Sequence, residues 1–182
     1  MNIIKEDIYK EIDLIQSCIT RMANNSFSMK GWHIGIISAL LIFLFDKDLK
    51  QTNIIFVIIE IVTCAFWYLD SYYLMLERKY RWKYSWIIKN RINTDTPKSD
   101  YLFNLNPNEM NMWDVNIQSK EYKAAIKTNE AINHNRSRLQ LNLCILREVK
   151  IVMFSNTMEA QYFLVFVISV IMFILKIYKN IL

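Results

Sequence analysis

Glu60 is the residue whose type and place ask most for a chemical role. It stands inside an apolar run, Ile54–Leu69, about ten residues before Asp70, or roughly 15 Å along a helix. A carboxylate at such a depth in a membrane is costly and is expected to face protein or water instead of lipid. Thr63, Cys64, Trp67 and Ser71 share its helical face within about 60° at 100° per residue. Translating a hairpin between the first two apolar runs brings Ser38 to a similar depth, and Ser169 of a third run falls nearby. A polar layer of Ser38, Glu60, Thr63 and Ser169 is therefore a candidate pore lining. The same layer read as packing is a protonated Glu60 hydrogen-bonded between helices. Lys30 and Asp70, at the ends of adjacent runs, are placed to pair at a membrane surface.

Other chemistry finds little footing. His33 and His134 are isolated, with no carboxylates at metal-binding spacing around them. Cys18, Cys64 and Cys144 form no CxxC pair, and their odd number argues against a disulfide framework or a zinc site. No Ser-His-Asp, Cys-His or GxGxxG context occurs, and no arginine precedes His134 by four to six residues as in many small defence ribonucleases. With two glycines and two prolines the chain is neither collagen-like nor a many-turned barrel, and it lacks the common Gly-rich phosphate loops. The expectation is a protein that is not an enzyme and uses no cofactor and no metal.

The elements that must hold these residues are read from the hydropathy pattern. The 182 residues are 53% hydrophobic, and the excess gathers in three runs: Gly31–Phe45, Ile54–Leu69 and Ala160–Leu175. Each spans roughly 22–24 Å as a helix, extended by snorkelling of Lys30 and Lys176 and by flanking aromatics. Buried core helices of a soluble bundle are the competing reading. The polar link Asp46–Asn53 suits a tight helical hairpin. Ile4, Ile8, Ile12, Ile15 and Ile19 recur at three- and four-residue spacing, predicting an amphipathic N-terminal helix instead of a signal peptide. Neither Gly nor Pro interrupts Ser71 to Arg91, so the second span is expected to continue as a stalk. Asn93–Asn111 reads as a loop, Trp113–Ile117 as ambiguous, Ser119–Met153 as helical, and Asn156-Thr157 as a break. Gly31, Gly35 and Ala39 form a small-residue stripe that would let another helix approach.

Charge sets an expected orientation. Glu77–Lys150 holds fourteen Lys and Arg against eight Asp and Glu, within a chain of net charge +5. Basic flanks remain on the cytoplasmic side, which places that segment inside and the link Asp46–Asn53 outside a bacterial inner membrane. Lys176 and Lys179 sit poorly with an external C-terminus, which leaves a re-entrant or oligomer-packed third run open. The run Trp67–Trp86 interleaves aromatics with Arg78, Lys79, Arg81 and Lys83, as a nucleic-acid surface would or as an aromatic belt entering a basic flank does. Arg78, Arg81, Arg136, Arg138 and Arg147 are the candidate contacts for a signal or partner.

The predicted fold class is all-α: about three transmembrane helices plus a cytoplasmic helical part, assembled as an oligomer. Its expected parts are an amphipathic helix over 1–30, a two-span hairpin over 31–76, a basic region over 77–157 with a loop near 93–117, and a third membrane helix over 158–182. The order of a charged N-terminal helix, a short two-span hairpin and a Tyr/Arg-rich stalk (RMANNSFSMKGW at Arg21–Trp32, FWYLDSYYLMLERKYRWKY at Phe66–Tyr84) resembles the SLATT-type membrane effectors of bacterial antiphage systems. The likeness covers roughly residues 1–90, and the third run and the segment 93–150 depart from a two-span pattern. It implies a pore-forming effector, self-associating in the lipid bilayer and held quiet until triggered. The trigger would be a soluble sensor or nuclease from the same operon, or a nucleotide or nucleic-acid ligand on the basic region. A membrane anchor recruiting such a nuclease or sensor, or a small transporter subunit, fits the same pattern.

Overall fold

The computed structural model describes residues 5–45, 52–99, 102–108, 119–133 and 137–181. Among these every regular element is helical: α1 (Lys5–Phe45), α2 (Thr52–Ile87) with a π-helical extension (Ile88–Ile92), α3 (Lys120–Asn133), α4 (Arg138–Met153) and α5 (Asn156–Ile181). The link 46–51, the segment Trp113–Ile117, His134 and Arg136 lie outside the described residues.

Two long helices carry the molecule. The Ile-spaced N-terminal segment and the first apolar run form one helix, because nothing between Arg21 and Gly35 interrupts the backbone hydrogen bonding. At about 1.5 Å per residue α1 reaches roughly 60 Å and α2 roughly 54 Å. They pack antiparallel: Ile8, Ile12 and Ile15 meet Trp86 and Ile87 at one end, Cys18 and Met22 meet Tyr80 further along, and Lys30 meets Asp70 beyond that. Ile15 and Ile87 are wholly buried, and each such side chain contributes about 1.5–3 kcal/mol through burial. Burial also pushes the Tyr80 phenol above its ordinary pKa, with the neighbouring Cys18 adding to the effect.

Composition then divides the hairpin. Beyond Asp70, α5 lies antiparallel along the apolar half of α2, Phe173 against Phe56 and Tyr162 against Trp67. On the other side of Asp70, α4 packs its Val149 and Val152 on Met75, and α3 pairs with α4. The helical stretch expected over Ser119–Met153 is thus two helices, the second capped by Ser137, whose hydroxyl accepts from the Gln140 amide. The break before the third run falls at Phe154 and Ser155, just ahead of the Asn156-Thr157 pair that marks it in the sequence. Ser155 closes α4 by donating to Val152 O at 2.7 Å and opens α5 by accepting from the Met158 amide at 2.8 Å. α2, continued through Ile92, is the one described helix long and apolar enough to cross a membrane by length and composition, and the apolar stretch Tyr162–Ile174 of α5 is shorter.

The polar end is closed by a buried ion pair. Arg91, in the π-helical turn, pairs with Glu11 of α1, both side chains fully buried. Arg91 also donates to Lys98 O and lies over the Trp86 ring. The other oxygen of Glu11 accepts the Phe103 amide at 3.0 Å, holding Phe103 at φ 56°, a left-handed conformation that costs an L-residue about 1–2 kcal/mol. Glu11 thereby ties the loop after α2 to the start of α1. Replacement Glu11→Ala should lower stability by about 3–5 kcal/mol, since it leaves the Arg91 charge buried without its counter-ion. Denaturant unfolding with hydrogen exchange at the Phe103 amide checks this; an unchanged exchange rate there would contradict it.

Candidate functional site

The junction between the two halves is a polar node around Asp70, which is completely buried. Lys30 of α1 approaches both carboxylate oxygens, at 2.8 and 3.0 Å. Ser26, one turn earlier on α1, donates to Oδ1, and Lys30 also donates to the Ser26 hydroxyl at 2.8 Å. From α5, the Tyr162 hydroxyl donates to Oδ2 at 3.0 Å. One carboxylate therefore joins three helices, and each of its oxygens is multiply bonded. Such saturation is what a buried charge needs to be tolerated.

The node continues into the apolar half as a line of buried polar groups. His33, one turn after Lys30, is 1% exposed. Its Nε2 lies 3.2 Å from the hydroxyl of the fully buried Thr63, and its ring rests against Tyr162 and Phe66. Trp67 stacks on Tyr162 and donates its indole N–H to Met153 O at 3.1 Å, which fastens the end of α4 to the same place. Further along, both Glu60 oxygens are buried without a hydrogen-bond partner among the described residues, and so is the Ser169 hydroxyl.

Register explains why Glu60 and Ser169 belong together. Glu60 lies one turn from Phe56 and two from Trp67; Ser169 lies one turn from Phe173 and two from Tyr162. Since Phe56 meets Phe173 and Trp67 meets Tyr162, the two polar residues occupy the same level on the facing sides of α2 and α5. Ser38 departs from the layer expected for it. It is exposed, and its hydroxyl donates to Ile34 O of its own helix at 2.8 Å. Cys64 also faces outward.

The basic candidates divide in the same way. Arg78 is paired with Glu121 of α3. Arg81 is held by Glu77 of its own helix at 2.7 Å and borders an open groove of about 590 Å³ between α1 and α2, with Gln16, Thr20 and Tyr84. Arg138 and Arg147 are exposed on α4. Arg147 lines a cleft of about 330 Å³ with Lys127, Thr128, Glu130 and Cys144. Sequence reasoning passed over Ser26 and Tyr162 and read His33 as isolated. The signal was present in the hairpin translation that pairs Lys30 with Asp70, which brings Ser26 and His33 to either side of that pair.

Replacing Asp70 with Ala should destabilise the protein by about 3–5 kcal/mol, because Lys30, Ser26 and Tyr162 all lose their acceptor. The double variant Lys30→Met, Asp70→Leu should recover most of that loss. Thermal unfolding of the purified full chain in detergent measures both, and a double variant as unstable as Asp70→Ala alone would refute the node. No protein-family model, curated protein or solved structure matches this chain.

Proposed function

We propose that the chain is a self-associating membrane effector that permeabilises a bilayer when its polar end receives a signal. The observation that carries this reading is the buried polar line Glu60–Thr63, covered by α5 within a bundle whose outer surface is apolar. Ile34 and Ile42 of α1, Val57 and Ile61 of α2, and Leu164 and Ile171 of α5 are each half or more exposed. Isolated soluble monomers seldom present so broad an apolar surface, whereas lipid favours it. Thr52–Leu69 measures about 27 Å as a helix, close to the roughly 30 Å of a bilayer core. Lys30, 31% exposed, holds the Asp70 end as a snorkelling cation would.

In this reading the described conformation is closed. α5 seals the Glu60 stripe, and only Phe154 and Ser155 separate it from α4, whose Glu148 is bonded to Lys79 at 2.6 Å. A signal that shifts α4 along α2 would move α5 and uncover the stripe. Three helices cannot enclose an ion path alone, so several copies are required. Gly31 and Gly35 support this, because both lie on a face of α1 with nothing within 4 Å of an added Cβ, leaving room for a neighbouring helix. The basic segment supports a polar end on the cytoplasmic side of a bacterial inner membrane. Antiviral defence follows from the likeness in layout to SLATT-type effectors.

The test is ion flux through liposomes holding the purified protein. Glu60→Gln should lower cation current by about tenfold, equivalent to about 1.4 kcal/mol in the barrier, while Ser38→Ala leaves it unchanged. In a cysteine-free background, cross-linking Phe56→Cys to Phe173→Cys should abolish current until the linker is cleaved. Equal currents in the Glu60 and Ser38 variants would refute the reading.

A second reading, an anchor that recruits a soluble defence nuclease or sensor, is favoured by one feature of α4. Leu139, Leu143 and Leu146 are 71, 56 and 48% exposed at coiled-coil spacing, beside Arg138 and Arg147. Under that reading Arg147→Glu abolishes partner co-purification and no current is found with any variant.

A further inference from the structure

Four polar atoms in the apolar half have no hydrogen-bond partner among the described residues: both oxygens of Glu60, the Ser169 hydroxyl and His33 Nδ1. They lie within about two helical turns of one another, where His33 of α1 meets Thr63 of α2 and Tyr162 of α5. Ser169 is 7% exposed and His33 1%. Glu60 and Ser169 are level on facing sides of α2 and α5, and Thr63, one turn along from Glu60, reaches His33 at 3.2 Å. Buried polar atoms are almost always satisfied by protein, water or an ion, so four of them within about two helical turns mark a place built to hold something. The Asp70 node beside it makes the contrast, since there every oxygen is supplied with donors.

We propose that Glu60, Ser169 and Thr63 form an intramembrane binding site for one monovalent cation of the size of sodium. Charge selects the class: a single carboxylate in an apolar bundle is neutralised by a single positive charge, whereas a divalent ion leaves one in excess. Donor chemistry agrees, because a carboxylate and two hydroxyls are hard oxygen ligands suited to alkali cations, too few for calcium and without the thiolate that soft metals prefer. The Thr63 hydroxyl can donate to His33 Nε2 and keep its lone pairs for the cation. In that tautomer His33 Nδ1 carries the proton and is free to donate to a water that completes the shell. A cation between Glu60 on α2 and Ser169 on α5 holds the closed position of α5. The site rests on the permeation reading, since it lies on the stripe assigned to the path.

The experiment is thermal unfolding of the purified full chain in detergent at constant pH, titrated with sodium chloride or with choline chloride at equal ionic strength. Sodium should raise the midpoint saturably and choline should not. Glu60→Gln should lose the saturable rise, and Ser169→Ala should weaken the apparent affinity by about tenfold, the usual weight of a polar contact to a charged group. Ser169→Ala, a small change that suits a helix, carries the test if Glu60→Gln does not fold. An equal rise in choline, a saturable sodium response retained by Glu60→Gln, or an unchanged sodium affinity in Ser169→Ala overturns the site. Saturable sodium binding with no flux would overturn the permeation reading and leave the site standing. Glu60-dependent flux with no sodium-specific stabilisation would do the reverse.

Discussion

The arrangement of this protein depends on one buried carboxylate. Asp70 sits where α2 changes from apolar to polar surroundings, and it accepts from α1 through Ser26 and Lys30 and from α5 through Tyr162. A charge of that kind fixes geometry more sharply than apolar contact does, because removing any donor exposes an unmet desolvation penalty. It sets the stagger of the α1–α2 hairpin, and with Trp67 it sets the depth of α5. Everything on the apolar side, including the level of Glu60 against Ser169, follows from that register.

On the polar side α2 acts as a spine whose charged residues choose its neighbours. Arg78 takes Glu121 of α3, Lys79 takes Glu148 of α4 and Asn108 of the loop, and Arg91 takes Glu11 of α1. These are buried or half-buried pairs, so their net contribution to stability is modest while the cost of breaking one is large. Their effect is to specify which helix lies where. The many basic residues of this region are for that reason only partly a surface for partners; Arg138 and Arg147, exposed on α4, keep that role open.

The contrast between Asp70 and Glu60 is the physical basis of the functional reading. Two carboxylates lie on one helix about 15 Å apart. One is saturated with donors and holds three helices together; the other has both oxygens buried and unpaired among the described residues. A structural role accounts for the first. The second makes sense as a group that meets an ion, water or a changed neighbour, and α5, joined to α4 through two residues, is the element whose movement would change that neighbour.

Much of this was legible in the sequence, and the limit has a clear cause. Helical class, the stalk past Asp70, the pairing of Lys30 with Asp70 and the isolation of Glu60 all follow from local rules: hydropathy period, the absence of Gly and Pro between Ser71 and Arg91, and hairpin translation. Which way a side chain faces is not local. Ser38 matches Glu60 in depth yet turns outward, because depth along a helix leaves rotation about its axis undetermined until a neighbour packs. The pairing of Glu11 with Arg91 spans eighty positions, and its one local trace is that Glu11 falls within the Ile8–Ile12–Ile15 stripe. His33 read as isolated because Thr63 and Tyr162 are remote in the chain. Composition and period determined what the helices are; the rotation and stagger of α1, α2 and α5 about Asp70, a matter of long-range contacts, decided which polar groups meet.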